Sequence, residues 1–199
     1  MEQHTPHSQH NADTADALIA QLRECYGRAA YSTKVHEKCA DIYHQRLRRL
    51  KLWQIALAAI TTGGLITTIF GEAGAATIIA TISSTVLLSI NTYTKEHDLG
   101  ELAQKHANAA GDLWDIRESY LSLLTDLAAS DIDIAKARQE RDRLQEALKN
   151  AYQGAPRTIP KAYKLAQEAL KINEELTFSD EEIDKFLPEP LRKTKQDND

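Results

Sequence analysis

Hydrophobic residues follow two different patterns along this chain, and the first is an almost uncharged central stretch. Between Lys51 and Lys95 the one ionised side chain is Glu72. On either side of Glu72 an uncharged run of about 20 residues would span about 30 Å as a helix, the thickness of the hydrocarbon core of a bilayer. The pattern predicts a transmembrane hairpin, with helices at about 52–70 and 75–93 and a turn at 71–74.

The hairpin is rich in small and hydroxylic residues, which let membrane helices approach closely and hydrogen-bond to each other. Two interpretations are open. In the first, these residues hold the two helices of one hairpin together. In the second, several hairpins assemble and one stripe of hydroxylic residues faces water. Under the second interpretation the candidate pore-lining residues are Thr77, Thr81, Ser84 and Asn91, with Thr61, Gly64 and Thr68 as a competing face on the first helix.

Two further alternatives concern the surroundings of the hairpin. Glu72 is a candidate for an acidic ring at the outer mouth of a pore, or it is a solvated turn residue. The hairpin as a whole could instead be buried in a soluble helical bundle. Its length and its basic flank favour the bilayer.

Four basic residues stand directly before the hairpin: Arg46, Arg48, Arg49 and Lys51. The turn contains no Lys or Arg, and basic residues remain on the cytoplasmic side of a membrane. We therefore expect a protein of the inner (plasma) membrane with both termini cytoplasmic. The basic residues would set this topology and contact anionic lipids. A nucleic-acid surface at this position would have to work against the membrane, so direct nucleic-acid contact is not favoured.

The second pattern begins after Lys95, where apolar positions alternate at spacings of three and four residues. This heptad seam consists of Leu99, Leu102, His106, Ala109, Leu113, Ile116, Tyr120, Leu123 and Leu127. A seam of about four heptads predicts a long helix that packs against another helix. We expect the second membrane helix to continue into it and to end near Ala129. His106 is then a packed core histidine or, less commonly, a pH sensor.

The remaining elements complete an all-α architecture: a transmembrane hairpin continuous with long cytoplasmic helices in an antiparallel bundle, plus short C-terminal helices. The predicted divisions are a disordered tail at 1–12, an N-terminal helix at 13–51 starting near Asp13 or Thr14, the hairpin at 52–94, long cytoplasmic helices at 95–153 and short helices with a tail at 154–199. Capping boxes are predicted at Ser130 with Asp133, before a helix at about 131–150, and at Ser179 with Glu182.

Charge and motifs argue against several functional classes. Residues 1–51 carry eight Lys and Arg against six Asp and Glu, whereas residues 95–199 carry sixteen against twenty-two, so bulk charge does not favour nucleic-acid binding by the C-terminal half. The sequence has no P-loop, Rossmann, HExxH or CxxC motif. Cys25, His36 and Cys39 lack further ligands for a zinc site. We expect no enzyme, cofactor or metal, and reduced cysteines in the cytoplasm.

The order of parts resembles a known family. The resemblance spans about residues 20 to 190 and is carried by three stretches: RAAYSTKVHEKCADIYHQRLRRLKLWQ, LGELAQKHANAAGDLWDIRESYLSLLTDL and TFSDEEIDKFLP. They are similar to the SLATT family of two-transmembrane effectors, which are associated with SMODS nucleotidyltransferases and SLOG sensor domains. The similarity is greatest to the subgroup encoded beside reverse transcriptases, as in retrons.

The resemblance implies a prokaryotic anti-phage effector that oligomerises and permeabilises the inner membrane, so that the infected cell dies in an abortive infection. It also implies a sensor partner. That partner would be a reverse transcriptase with its non-coding RNA and multicopy single-stranded DNA, or a system that produces a nucleotide signal. The residues themselves leave a second hypothesis open, in which the hairpin is a passive anchor for a cytoplasmic helical binding module.

Overall fold

The structure is a computed structural model that describes residues 6–71 and 74–193, with side chains from Ala15 onward. Helix α1, Pro6–Ile69, has 64 residues and is therefore about 96 Å long. As predicted, it passes through the basic cluster into the membrane segment without interruption. It begins earlier than the predicted cap at Asp13 or Thr14, so the part of the predicted tail from residue 6 onward is helical. The first five residues lie outside the described part.

The prediction of one continuous helix after the turn is wrong, because this part of the chain forms two helices. Helix α2, Ala75–Glu96, and helix α3, Leu99–Ala128, are separated at His97 and Asp98. The Asp98 carboxylate accepts hydrogen bonds from the backbone N–H groups of Gly100 (2.9 Å) and Glu101 (2.8 Å), which caps a new helix. The chain can therefore change direction between the membrane segment and the bundle.

Three more helices follow α3: α4, Ile134–Gly154; α5, Pro160–Lys171; and α6, Asp180–Asp184, before a short 3-10 turn at Glu189–Leu191. The predicted cap at Ser130 is wrong, because Ser130 has a left-handed φ of 59° after the end of α3. Asp133 caps α4 instead and accepts from the backbone N–H of Lys136 at 2.9 Å. The Ser179–Glu182 capping box is present as predicted.

Helices α1 and α3 run antiparallel and form the centre of a helical bundle beyond the hairpin. The cluster farther from the membrane joins α1 and α3 to α4 and contains Leu18, Leu22, Cys25, Ile116, Tyr120, Leu123, Ala137 and Leu144. The cluster nearer the membrane joins them to α5 and contains Val35, Cys39, Ile42, Tyr43, Leu99, Ala103, Ala162 and Ala166. Beyond α5 the chain is attached to α1 by the Glu175 carboxylate, which pairs with Lys34 at 2.8 Å and Lys38 at 3.3 Å.

The hairpin extends away from this bundle and presents its apolar side chains outward. Each hairpin helix contains an 18-residue window apolar enough to cross a membrane, of which 0% and 11% are buried within the chain. Exposed residues include Ile55, Ile66, Ile79 and Ile82. The chain's own bundle therefore does not bury the hairpin, and an exposed apolar surface of this kind is suited to contact with lipid.

Candidate functional site

The hairpin helices contact each other along one face of small and polar residues. On α1 the half-buried positions recur at spacings of three and four residues: Gln54, Leu57, Thr61, Gly64 and Thr68. On α2 the buried positions facing them are Ala80 and Ser83. This spacing is that of one helix face, so the candidates Thr61, Gly64 and Thr68 belong to the contact within a single hairpin.

Gly64 allows the closest approach of the two helices. A Cβ atom at this position would lie 2.7 Å from the Cβ of Ala80 and 2.9 Å from the carbonyl oxygen of Ala76. At the end of the contact nearest the turn, the hydroxyls of Thr68 and Thr77 are 2.9 Å apart and hydrogen-bonded. Thr77 is therefore also a residue of the hairpin contact, as small and hydroxylic residues in paired membrane helices commonly are.

Thr81 lies on the exposed side of α2 that faces away from α1, and Ser84 is exposed at the edge between that side and the contact. The outward face on which Thr81 lies continues through Thr85, Ser89 and Thr92; we call Thr81, Ser84, Thr85, Ser89 and Thr92 the outward hydroxyl stripe. Thr81, Thr85, Ser89 and Thr92 each donate to the backbone oxygen four residues earlier, at 2.8–3.0 Å. Their hydrogens are thus satisfied within the helix, while oxygen lone pairs remain available to water or to another chain.

Polar groups also close the end of the hairpin nearer the bundle. The Gln54 side-chain amide donates to the Asn91 carbonyl oxygen at 2.9 Å, so the candidate Asn91 is exposed but already engaged within the chain. Below it Arg46, Arg48, Arg49 and Lys51 are all exposed, and the Arg46 guanidinium lies 5.6 Å from the centre of the Tyr43 ring. The candidate Glu72 lies outside the described residues.

The predicted seam on α3 is where the helical bundle is held together. Leu99, His106, Leu113, Ile116, Tyr120 and Leu123 are buried, whereas Leu102 and Leu127 are half-buried at its edges. At its middle His106 is completely buried and its Nδ1 lies 3.0 Å from Nδ1 of His36 on α1. The Tyr43 ring stacks on the other side of His106, with ring centres 5.5 Å apart.

This histidine pair is uncharged at neutral pH. Burial, followed by the neighbouring His36, lowers the pKa of His106 to about 4, and burial also lowers the pKa of His36. The buried Nε2 of His106 has no hydrogen-bond partner among the described residues. A buried nitrogen with an unpartnered lone pair costs less free energy than a buried N–H group without an acceptor, so we assign the proton of His106 to Nδ1 and not to Nε2. The Nδ1–H of His106 then donates to Nδ1 of His36, and the proton of His36 lies on Nε2.

Sequence reasoning identified His106 but not its partner. The signal for His36 was present, because buried α1 positions recur at Ala29, Thr33, His36, Ala40 and Tyr43 with helical spacing. Placing His36 opposite His106 required the register between α1 and α3, which one sequence does not specify.

The two cysteines are buried free thiols in different parts of the core. The Arg28 guanidinium donates to the Cys25 sulfur at 3.3 Å, and burial raises the pKa of Cys39. Cys39 follows Cys25 by fourteen positions along α1, a rise of about 21 Å, so they share neither a disulfide nor a metal ion. Within the described residues no group of three His, Cys, Asp or Glu side chains is placed to hold a metal.

Comparison with known proteins places this architecture in a family. No curated protein and no solved structure matches the chain. Residues 18–182 match the model of the SMODS and SLOG-associating 2TM effector domain family 4. That match includes both helices of the hairpin, the seam on α3 and helices α4 and α5. The chain therefore belongs to the SLATT family of two-transmembrane effector domains.

Proposed function

We propose that this effector kills phage-infected bacteria by assembling in the inner membrane and making it permeable. Both termini lie in the cytoplasm, where the bundle receives a signal, and the turn at 71–74 lies outside. The protein acts as a homo-oligomer and carries out no enzymatic reaction. The single observation that carries the proposal is the outward hydroxyl stripe of α2, which the fold of one chain leaves uncovered.

Three faces of α2 support this assignment. Ala80 and Ser83 contact α1, and Ile79, Ile82 and Val86 are apolar and exposed, as lipid contacts are. The outward hydroxyl stripe forms a third face, on which Ile78 and Leu88 are also exposed, and its hydroxyl groups gain little from contact with lipid. In an oligomer this face contacts another hairpin or lines a water path, where hydroxyl oxygens accept hydrogen bonds. We therefore retain Thr81 and Ser84 as pore-lining candidates, and the packing within the hairpin accounts for Thr61, Gly64, Thr68 and Thr77.

The continuous α1 helix supports coupling between the bundle and the membrane. Its cytoplasmic part is buried against α3, α4 and α5, and its other end is the first hairpin helix. A rearrangement of the bundle therefore moves the membrane segment directly. We propose that a sensor complex acts on the bundle, as a brake that is released or as a trigger. The sensor complex would be a reverse transcriptase with its non-coding RNA and multicopy single-stranded DNA, or a system that produces a nucleotide signal.

A passive anchor is the competing function. The long acidic part of the chain after Lys95 would then bind the partner by itself, and the hairpin would only hold it at the membrane. This hypothesis predicts that an unrelated two-helix hairpin can replace residues 52–94 without loss of phage defence. Loss of defence in such a chimera, with the protein found in the membrane fraction, would eliminate the passive anchor.

Membrane potential in bacteria that express this chain is the decisive measurement for the pore. A voltage-sensitive dye should report rapid depolarisation with the natural sequence and none with Thr81→Leu/Ser84→Leu. The matched control is Thr62→Leu/Thr67→Leu, which adds the same apolar groups to exposed positions of α1. If the chain alone is silent, the measurement is repeated with the neighbouring genes and phage.

The outcomes separate the two functions. Depolarisation by the control and not by the α2 variant supports the stripe as the water path, whereas the reverse result moves that path to α1. Equal depolarisation by both variants would show that neither face lines it. Silence under every condition, with the protein in the membrane, would favour the anchor.

A further inference from the structure

A cleft opens on the cytoplasmic bundle where α1, the end of α4 and the start of α5 meet. Its volume is about 460 Å³, within the range of small-molecule sites. Its lining includes Tyr31, Ser32, His36, Tyr152, Arg157 and Tyr163. The hairpin contributes nothing to this cleft, so it is distinct from the membrane site.

Three hydrogen-bond donors of this cleft are left unused by the chain. The hydroxyl of Tyr31 is buried and makes no hydrogen bond of good geometry, although the Tyr163 hydroxyl lies near it. Burial raises the pKa of Tyr31, so the hydroxyl keeps its proton. His36 is bonded to His106 through Nδ1, which leaves its Nε2–H without a described partner. The exposed guanidinium of Arg157 makes no ion pair with a described residue.

The electrostatics of the cleft favour an anion. No Asp or Glu lines it, although acidic residues outnumber basic ones, 29 to 24, in the whole chain. Helix α5 begins beside Arg157 with Ile159 as its N-cap, and no side chain caps its first N–H groups. The partial positive charge of this helix end therefore adds to that of the guanidinium.

Two aromatic rings stand at the sides of the same cleft. Tyr152 is 44% exposed and Tyr163 is 53% exposed, so both rings present open faces. The hydroxyl of Tyr152 is held by Ser32 at 2.6 Å, and the Tyr163 ring lies 5.2 Å from that of Tyr31. Rings fixed in this way are suited to stack on a planar ligand.

We propose that this cleft binds a small aromatic phosphate, with the phosphate on Tyr31, His36 and Arg157 and the aromatic ring against Tyr152 and Tyr163. Because His36 also holds His106, an occupied cleft stabilises one arrangement of α1 against α3. The ligand would then control the activity of the effector. This consequence rests on the proposed function, but binding itself does not.

The test is isothermal titration calorimetry on the full chain in detergent, with phenyl phosphate and inorganic phosphate as probes. Phenyl phosphate should bind about tenfold more tightly than inorganic phosphate, because only the former stacks on the tyrosines. Arg157→Gln should weaken binding about tenfold, since it removes the charged donor, and Tyr31→Phe should weaken it severalfold. The matched control Arg138→Gln removes an exposed arginine of α4 outside the cleft and should bind phenyl phosphate normally.

Three results would overturn the proposal: no binding of phenyl phosphate at millimolar concentration, equal affinity for the two probes, or equal affinity of Arg157→Gln and Arg138→Gln. The variant Thr81→Leu/Ser84→Leu keeps the folded bundle and should bind phenyl phosphate like the natural sequence. Failure of the pore and failure of the cleft are therefore measured independently.

Discussion

Acidification should loosen the helical bundle through the buried pair His36–His106. Both pKa values are lowered on folding, that of His106 from 6.5 to about 4. The unfolded chain therefore binds more protons than the folded one once the pH falls below about 6.5. Stability is fully present above that pH, decreases as the pH falls toward 4, and levels off below it.

The size of the effect follows from the shift of His106. A change of about 2.5 pKa units corresponds to about 3 kcal/mol at the acid limit, of which about 2 kcal/mol is already lost at pH 5. The His106 side chain is 0% exposed, so solvent screening does not reduce this value much. His36 adds to the loss in the same direction. The groups that face the pair are Tyr43, stacked on His106, and Arg157, across the cleft from His36. The Arg157 guanidinium disfavours a further positive charge, whereas the face of the Tyr43 ring offsets a small part of the loss.

The assay is thermal unfolding of the full chain in detergent, followed by tryptophan fluorescence and circular dichroism between pH 7.5 and pH 5. For a chain of this length a loss of about 2 kcal/mol lowers Tm by about 4–8 °C. His106→Gln keeps a hydrogen-bonding side chain that does not titrate, and His36→Gln/His106→Gln removes the pair. The control His44→Gln removes an exposed histidine of α1.

The comparison between variants isolates the pair from the carboxylates that also titrate in acid. The natural sequence and His44→Gln should lose the same stability, whereas His106→Gln should lose less and the double variant least. An equal fall in Tm for the natural sequence and the double variant would refute the reasoning. So would a fall that appears in the natural sequence and is absent from His44→Gln.

Three further predictions concern the hairpin, the core and the helix break. Thr68→Cys/Thr77→Cys should form a disulfide in membranes, because the native hydroxyls are 2.9 Å apart. The added substitution Gly64→Val should prevent this disulfide, whereas the control Gly63→Val should not, since of these two glycines Gly64 is the one that touches α2. Leu144→Ala should destabilise the bundle by about 2–5 kcal/mol in thermal unfolding, whereas the exposed Leu121→Ala should have little effect. Asp98→Ala should cost about 1 kcal/mol in the same assay by removing the cap of α3, and Asp112→Ala, at an exposed position in mid-helix, should cost less.

Some features of this chain follow from the sequence alone because they depend on local patterns. The stretch between Lys51 and Lys95, with Glu72 as its one charge, is long and apolar enough to predict two membrane helices. The alternating spacing from Leu99 to Leu127 is sufficient to predict a buried seam, since side chains three and four residues apart share a helix face. The capping box at Ser179 is equally local, because both of its hydrogen bonds lie within four residues.

Other features were decided only by the tertiary structure. Asp98 interrupts the predicted long helix, and Asp133 rather than Ser130 caps α4; each competing cap was compatible with the sequence. The rotation of α2 about its axis sends Thr77 into the hairpin and Thr81 outward, which composition cannot distinguish. The pairing of His36 with His106 depends on the register of α1 against α3, because the two histidines are seventy positions apart in the chain. These choices arise from contacts through space, and periodicity along one helix contains no information about which partner lies opposite.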